Sequence, residues 1–203
     1  MKRVWAMILA LMLVGCAVGC SAKPTAPLVS HTVQTAAPQS DSVVQETEAA
    51  ENYVRGEWNG RTYTSTYAGI SLTLPNENWS IEPEEDETED SFTELMVQNE
   101  QTGASVILMW EKAPQETTVA EYAKAIEQGL SQSEDVAYTV GESADVQLCG
   151  NAYRMVTAQA EEYGMEQAYL MRSRGERMAV VILTASIEEG VSSLLELFDE
   201  KAP

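Results

Sequence analysis

The chain reads as an α+β fold, a largely antiparallel sheet with helices packed against it. Three patterns carry that reading. From Arg61 to Thr184, short segments alternate apolar and polar residues with the period of two that strands require. Brief turns rich in Gly, Asn and Glu separate them, which favours antiparallel neighbours. Two capping boxes, Thr118-Val119-Ala120-Glu121 and Ser186-Ile187-Glu188-Glu189, each open a stretch whose apolar residues recur at helical spacing.

The first elements are a hairpin in Arg61 to Leu74. Tyr63, Ser65 and Tyr67 alternate with Thr62, Thr64 and Thr66, Ala68-Gly69 turns the chain, and Ile70, Leu72 and Leu74 follow at period two. Pro75-Asn76 stops the second strand, and Trp79 follows after a polar turn. Ser91 to Gln98 and Ala104 to Trp110 form the next pair, joined by the hairpin loop Asn99 to Gly103. In the second of these Val106, Leu108 and Trp110 share one face and Ile107 and Met109 the other, the mark of a central strand covered on both sides. At Thr118 the period changes. Val119, Tyr122, Ala123, Ile126 and Leu130 make one apolar stripe of a helix running to about Leu130, with Glu121, Lys124, Glu127 and Gln128 on a solvated face. Strands are expected at Val136 to Val140, Asp145 to Leu148, Asn151 to Ala160, Met165 to Arg172 and Arg177 to Thr184, with turns at Glu161 to Gly164 and Ser173 to Glu176. A terminal helix with the stripe Val191, Leu194, Leu195 and Phe198 closes the chain.

Ahead of this domain, expected over residues 57–203, the sequence has a different character. Ser21 to Gly56 is rich in Ser, Ala, Thr, Pro, Gln and Val, with Glu and Asp joining after Ser40. Such a segment buries too little apolar surface to offset its ordering entropy, so residues 21–56 are expected to be a tether with a reach on the order of 30–35 Å. Residues 1–20, MKRVWAMILALMLVGCAVGC, open with Lys2 and Arg3 and continue as an unbroken apolar run from Val4 to Val14. That run is shorter than the roughly 20 residues of a spanning helix and has the form of a signal-peptide core. Leu13-Val14-Gly15-Cys16 and Ala17-Val18-Gly19-Cys20 each resemble the bacterial lipobox: an aliphatic residue, a small one, Gly or Ala, then Cys. The resemblance implies a diacylglyceryl thioether on the Cys, fatty-acyl chains of the palmitate kind, and a mature protein held at the cell membrane on its extracytoplasmic side. Leu13 is the preferred residue type three places before the Cys. Cys16 is therefore the expected attachment point, with Cys20 the alternative.

Composition narrows the function further. The 203 residues carry a net charge of −20, and 44% are hydrophobic. That field repels phosphate backbones and excludes nucleic-acid binding. It also repels anionic lipid, so membrane contact has to come through the covalent lipid. Cys149 is the lone cysteine beyond the lipobox region, and the single histidine, His31, lies in the tether. A Ser-His-Asp or Cys-His site therefore cannot be assembled in the domain, and Cys149 is expected to be a small, half-buried hydrophobe beside a turn. No set of His and Cys suits zinc. Arg172, Arg174 and Arg177 surround the last turn, either as an anion-binding spot or as charge balance on an acidic protein. No catalytic, cofactor-binding or metal residues are expected and no cofactor is implied. The expected role is a non-catalytic accessory or binding module with a protein, peptide or glycan partner in the envelope. A small hydrolase using carboxylates and a purely structural envelope component are the alternatives.

Tyr63 to Pro75 with Trp79 resembles the opening of the PsbP-like family: a Tyr-containing strand, a Gly turn, an aliphatic strand ending in Leu-Pro, then Trp. That family joins an extrinsic photosystem II subunit to many small bacterial lipoproteins. The resemblance implies an α/β/α sandwich and an accessory or binding role, and it carries over no catalytic residue.

The run Glu82 to Asp90, EPEEDETED, lacks the spaced ligands and central Gly of a calcium loop and is expected to be an exposed acidic connection. Monovalent salt should stabilise the protein almost as well as calcium at equal ionic strength, because screening alone relieves the repulsion. Calorimetric titration checks this, and stoichiometric calcium binding lost on replacing Glu84, Glu85 and Glu87 with Gln would overturn it.

Overall fold

The structure, a computed structural model, describes residues 53–82, 88, 90–113 and 117–200. Alternation builds two sheets in it. The smaller contains β1 (Glu57–Asn59), β2 (Thr62–Ser65) and β3 (Ile70–Thr73), in that order. The larger contains β4 (Trp79–Ile81), β5 (Ser91–Asn99), β6 (Ser105–Lys112), β7 (Thr139–Val140), β8 (Ala144–Leu148), β9 (Asn151–Ala160), β10 (Met165–Arg174) and β11 (Arg177–Ser186). Its order is β4-β5-β6-β11-β10-β9-β7, with β8 also paired to β9. The pairs are antiparallel throughout.

The faces follow from the register. Val106, Leu108 and Trp110 of β6 and Ala179, Val181, Leu183 and Ala185 of β11 point to one side. There they form a single core with Tyr63, Ile70 and Leu72 of the small sheet. Met178, Val180 and Ile182 are equally buried on the other side. Helix α1 (Val119–Ser131) lies over β9, β10 and β7. It starts at the predicted capping box: the Thr118 hydroxyl accepts from the Glu121 amide, and Glu121 reaches back to the Thr118 amide at 2.9 Å. Ala123 and Leu130 of its stripe are fully buried, and Tyr122 and Ile126 half-buried. Among the described residues no helix is long and apolar enough to cross a membrane.

The antiparallel sheet is as expected, but its coverage differs from an α/β/α sandwich. One face carries α1 and the other carries the three-stranded sheet. The terminal helix is also much shorter than its pattern implied. Ser186 does accept the Glu189 amide at 3.2 Å, yet Gly190 follows in the left-handed conformation, φ 71°, and the turn stops there. Helix α2 is only Ser192–Leu195. Ser186 belongs to the end of β11, so its hydroxyl caps one turn and not a helix. The stripe is used differently. Val191, Leu194 and Phe198 are buried, Leu195 is half-buried, and residues 197–199 lie along β3. The Thr73 amide donates to Leu197 O at 2.9 Å, Asp199 N donates to Ser71 O at 3.0 Å, and the Ser71 hydroxyl donates to the Asp199 carboxylate.

Smaller differences follow similar logic. β1 went unpredicted because it has three residues. Trp79, after its polar turn, opens β4, and the strand expected from Val136 contracts to Thr139–Val140 with Val136 buried ahead of it. Among the described residues, Tyr53 already packs against the core ahead of Glu57.

The tail is thus part of the core. Phe198→Ala should destabilise the protein by about 3 kcal/mol, through lost burial and the cavity left behind. Leu195→Ala, at a half-buried position, should cost less. Urea unfolding of both variants checks the ranking.

Candidate functional site

The most distinctive chemistry is a carboxylate in the core. β5 carries one residue more than β6: Thr93 pairs with Met109 and Leu95 with Leu108, leaving Glu94 between them. A bulge of this kind turns two successive side chains toward one face. Leu95 is 2% exposed and Glu94 3%. A charge this deep must be met by donors, and three are present. Tyr63 Oη donates to Glu94 Oε1 at 2.6 Å, the Gly56 amide donates to the same oxygen at 3.1 Å, and Trp110 Nε1 donates to Oε2. Gly56 is required by space: a Cβ there would stand 2.4 Å from the Tyr63 hydroxyl.

Aromatic rings enclose this group. Tyr53 meets Tyr67 at 5.3 Å, Phe92 at 5.0 Å and Trp110 at 6.1 Å between centroids, all edge to face. Tyr67 also meets Trp110 at 5.0 Å, and Trp58 meets Tyr63 at 5.2 Å. Arg55 Nη2 donates to Thr93 O at 3.1 Å, across the bulge. The Tyr53 phenol is pushed up to about 12, by burial first and then by the Glu94 charge. Tyr63 is pushed up by the same two causes in the same order. With its oxygens bonded and its side chain covered, Glu94 organises packing and presents nothing to a substrate.

The residues singled out from sequence fall elsewhere. Cys16, Cys20 and His31 lie outside the described residues, as do residues 83–87 and 89 of the acidic run. Asp90 is described, and its carboxylate stands 4.0 Å from Lys112 Nζ. Cys149 is more buried than expected, 6% exposed, in the two-residue turn between β8 and β9, with φ 51°. Its sulfur accepts the Ser71 amide at 3.4 Å and faces Ser71 O at 3.5 Å. Burial pushes the thiol up, against the lowering effect of the Ser71 amide. Arg174 and Arg177 do approach each other, as partners across the β10–β11 turn, and each guanidinium lies over a ring: Tyr67 at 5.6 Å and Phe92 at 5.3 Å. Arg172 lies apart from them, beside Asn151 and Gly69.

Two further features escaped the sequence reading. Glu127, assigned to the solvated face of α1, accepts the Ser143 amide at 3.2 Å. It lines an open polar groove with Ser131, residues 140–143 and Arg154. Arg154 is held there by Asp145 at 2.9 Å and Ser143 at 2.8 Å. Glu111 of β6 receives the Tyr122 hydroxyl of α1, and burial raises its carboxyl despite that bond. One signal for Glu94 was present in the sequence. Phe92 and Leu95 both face the core three residues apart, a spacing that period two forbids without an inserted residue.

No protein-family model matches the chain, and no curated protein matches it. Among solved structures it is similar to the solution structure of cyanobacterial PsbP (CyanoP) from Synechocystis sp. PCC 6803. The identity is 11%, the match covers 71% of this chain and 97% of that chain, and the TM-score is 0.48. At that score and identity, no residue role or activity passes from that protein to this one.

Glu94→Leu should destabilise the protein by about 2–4 kcal/mol, because the Tyr63 hydroxyl and Trp110 indole keep their burial and lose their acceptor. Urea unfolding measures it. The raised phenols make a second test. A phenol with a higher pKa folded than unfolded contributes stability that is complete below the unfolded value of 10.0 and is lost as pH rises toward the folded value, about 12 for Tyr53. Unfolding and tyrosinate absorbance should therefore rise together in that window, and Tyr53→Phe should reduce the alkaline loss.

Proposed function

We propose that the chain is a lipoprotein held at the cell membrane on its extracytoplasmic side. Its folded domain, PsbP-like in architecture, acts as a non-catalytic accessory or binding module for a protein, peptide or glycan of the envelope. One observation carries this reading: Leu13-Val14-Gly15-Cys16 and Ala17-Val18-Gly19-Cys20 stand at the end of a short apolar run that follows Lys2 and Arg3. A diacylglyceryl thioether on Cys16, or on Cys20, supplies two acyl chains, the number that stable anchoring needs. Charge supports the same division of labour. A chain of net charge −20 is repelled by anionic lipid, so the lipid supplies attachment and the tether lets the domain work at a distance. The chemistry at Glu94 and Cys149 suits packing, which favours binding over catalysis.

Membrane fractionation of cells carrying Cys16→Ala, Cys20→Ala and the double variant tests the anchor. The double variant should leave the membrane fraction, and Cys16→Ala alone should release more protein than Cys20→Ala. Retention of the double variant at the membrane would refute the reading.

A further inference from the structure

Several cations of the large sheet gather at one of its ends, with Asp90, Glu111 and Glu176 among them. Lys112, Arg174 and Arg177 sit where β10 turns into β11, Arg172 is two residues away from Arg174 on β10, and Arg55 reaches Thr93 beside them. Tyr53 packs at this same end, so the chain enters the domain there.

Toward the opposite end stand three connections: residues 132–138 after α1, residues 161–164 between β9 and β10, and residues 187–190 after β11. They contain no Lys or Arg. They expose six carboxylates, Glu134, Asp135, Glu161, Glu162, Glu188 and Glu189. Among these stand two of the few large apolar side chains that remain exposed, Tyr163 at 42% and Ile187 at 39%. The two connections that carry them are joined, because the Ile187 amide donates to Gly164 O at 2.9 Å. Tyr138 is half-buried beside Tyr163, which adds to the effect of burial in raising the Tyr138 phenol. Apolar side chains held on fixed turns inside a carboxylate rim suit a partner that brings apolar side chains among cations. The same rim repels anionic lipid, and it repels a second copy bearing an identical rim.

We infer that the end of the sheet formed by Tyr138, Tyr163 and Ile187 and rimmed by these six carboxylates is a docking surface for a basic, amphipathic segment of a partner protein. The inference deepens the proposed binding role and rests on it. It names the end of the domain that binds and the chemistry of what is bound.

The test uses the full-length protein in phosphatidylcholine nanodiscs, with empty nanodiscs as the blank. Two labelled peptides serve as probes, one of lysine and leucine at helical spacing and one of lysine and serine with equal charge. The lysine–leucine peptide should bind more tightly than the lysine–serine peptide. Tyr163→Ser combined with Ile187→Ser should weaken it by about tenfold or more without shifting the melting temperature. Gln at Glu161, Glu162, Glu188 and Glu189 should weaken both peptides, whereas removing four charges elsewhere (Glu57→Gln, Asp90→Asn, Glu142→Gln, Glu176→Gln) should do so far less. Equal binding of the two peptides, equal losses from the two charge sets, or no binding by the unaltered protein would overturn the inference. So would a dimer, seen in sedimentation, that Tyr163→Ser and Ile187→Ser abolish. Retention of the double cysteine variant at the membrane would refute the anchor and leave the peptide measurement standing, so failure of the site and failure of the anchor are read separately.

Discussion

The structure turns on one buried charge. Glu94 lies inside because β5 carries a residue too many. Once inside, its carboxylate has to be satisfied, since leaving an ion unpaired in a core costs several kcal/mol. Each donor that answers it comes from a different place: Tyr63 from the small sheet, Trp110 from β6 and Gly56 from the chain that leads into β1. A single group thereby fixes the distance between the two sheets and the path of the entering chain. The aromatic layer follows from that constraint. Tyr63 and Trp110 are held by their polar ends, which sets the planes of their rings, and Tyr53, Tyr67 and Phe92 pack around them.

Much of the fold was legible because it is written in local periods. The β2–β3 hairpin, the long strands β5, β6, β9, β10 and β11 and the α1 capping box all follow from spacing and caps that act within a few residues. What escaped depends on contacts distant in sequence. The second capping box has the same pattern as the first, but Gly190 turns left-handed and the tail gains more by lying along β3, where Ser71 and Thr73 supply hydrogen-bonding groups more than a hundred residues away. β1 exists only because Trp58 and its neighbours find Tyr63 opposite them. Layer composition was illegible for a related reason. Period two shows that both faces of β11 are covered, but not whether a helix or a second sheet covers each.

For the functional residues the balance is reversed. The proposed lipid-attachment motif is a run of adjacent residues, whereas the groups that shape the domain are assembled from afar. Glu94 is a polar residue within the strand expected over Ser91 to Gln98, and its donors come from elsewhere in the chain. Glu127 looked solvated until Ser143 came to it. Arg174 and Arg177, open to reading as an anion-binding spot or as charge balance, lie over Tyr67 and Phe92 as part of the packing. Sequence spacing shows which residues share an element, and topology decides which elements share an end.

The setting of Cys149 also has a practical meaning. Its sulfur is enclosed by the β3 backbone at Ser71, and burial pushes its thiol up, away from the reactive thiolate. Native protein should therefore hide this sulfur from alkylating reagents and surrender it only on unfolding. The remaining thiols of the sequence are those of Cys16 and Cys20. Alkylation of folded protein thus becomes a count of free sulfurs at Cys16 and Cys20, and the further sulfur gained in denaturant reports the integrity of the fold in the same sample.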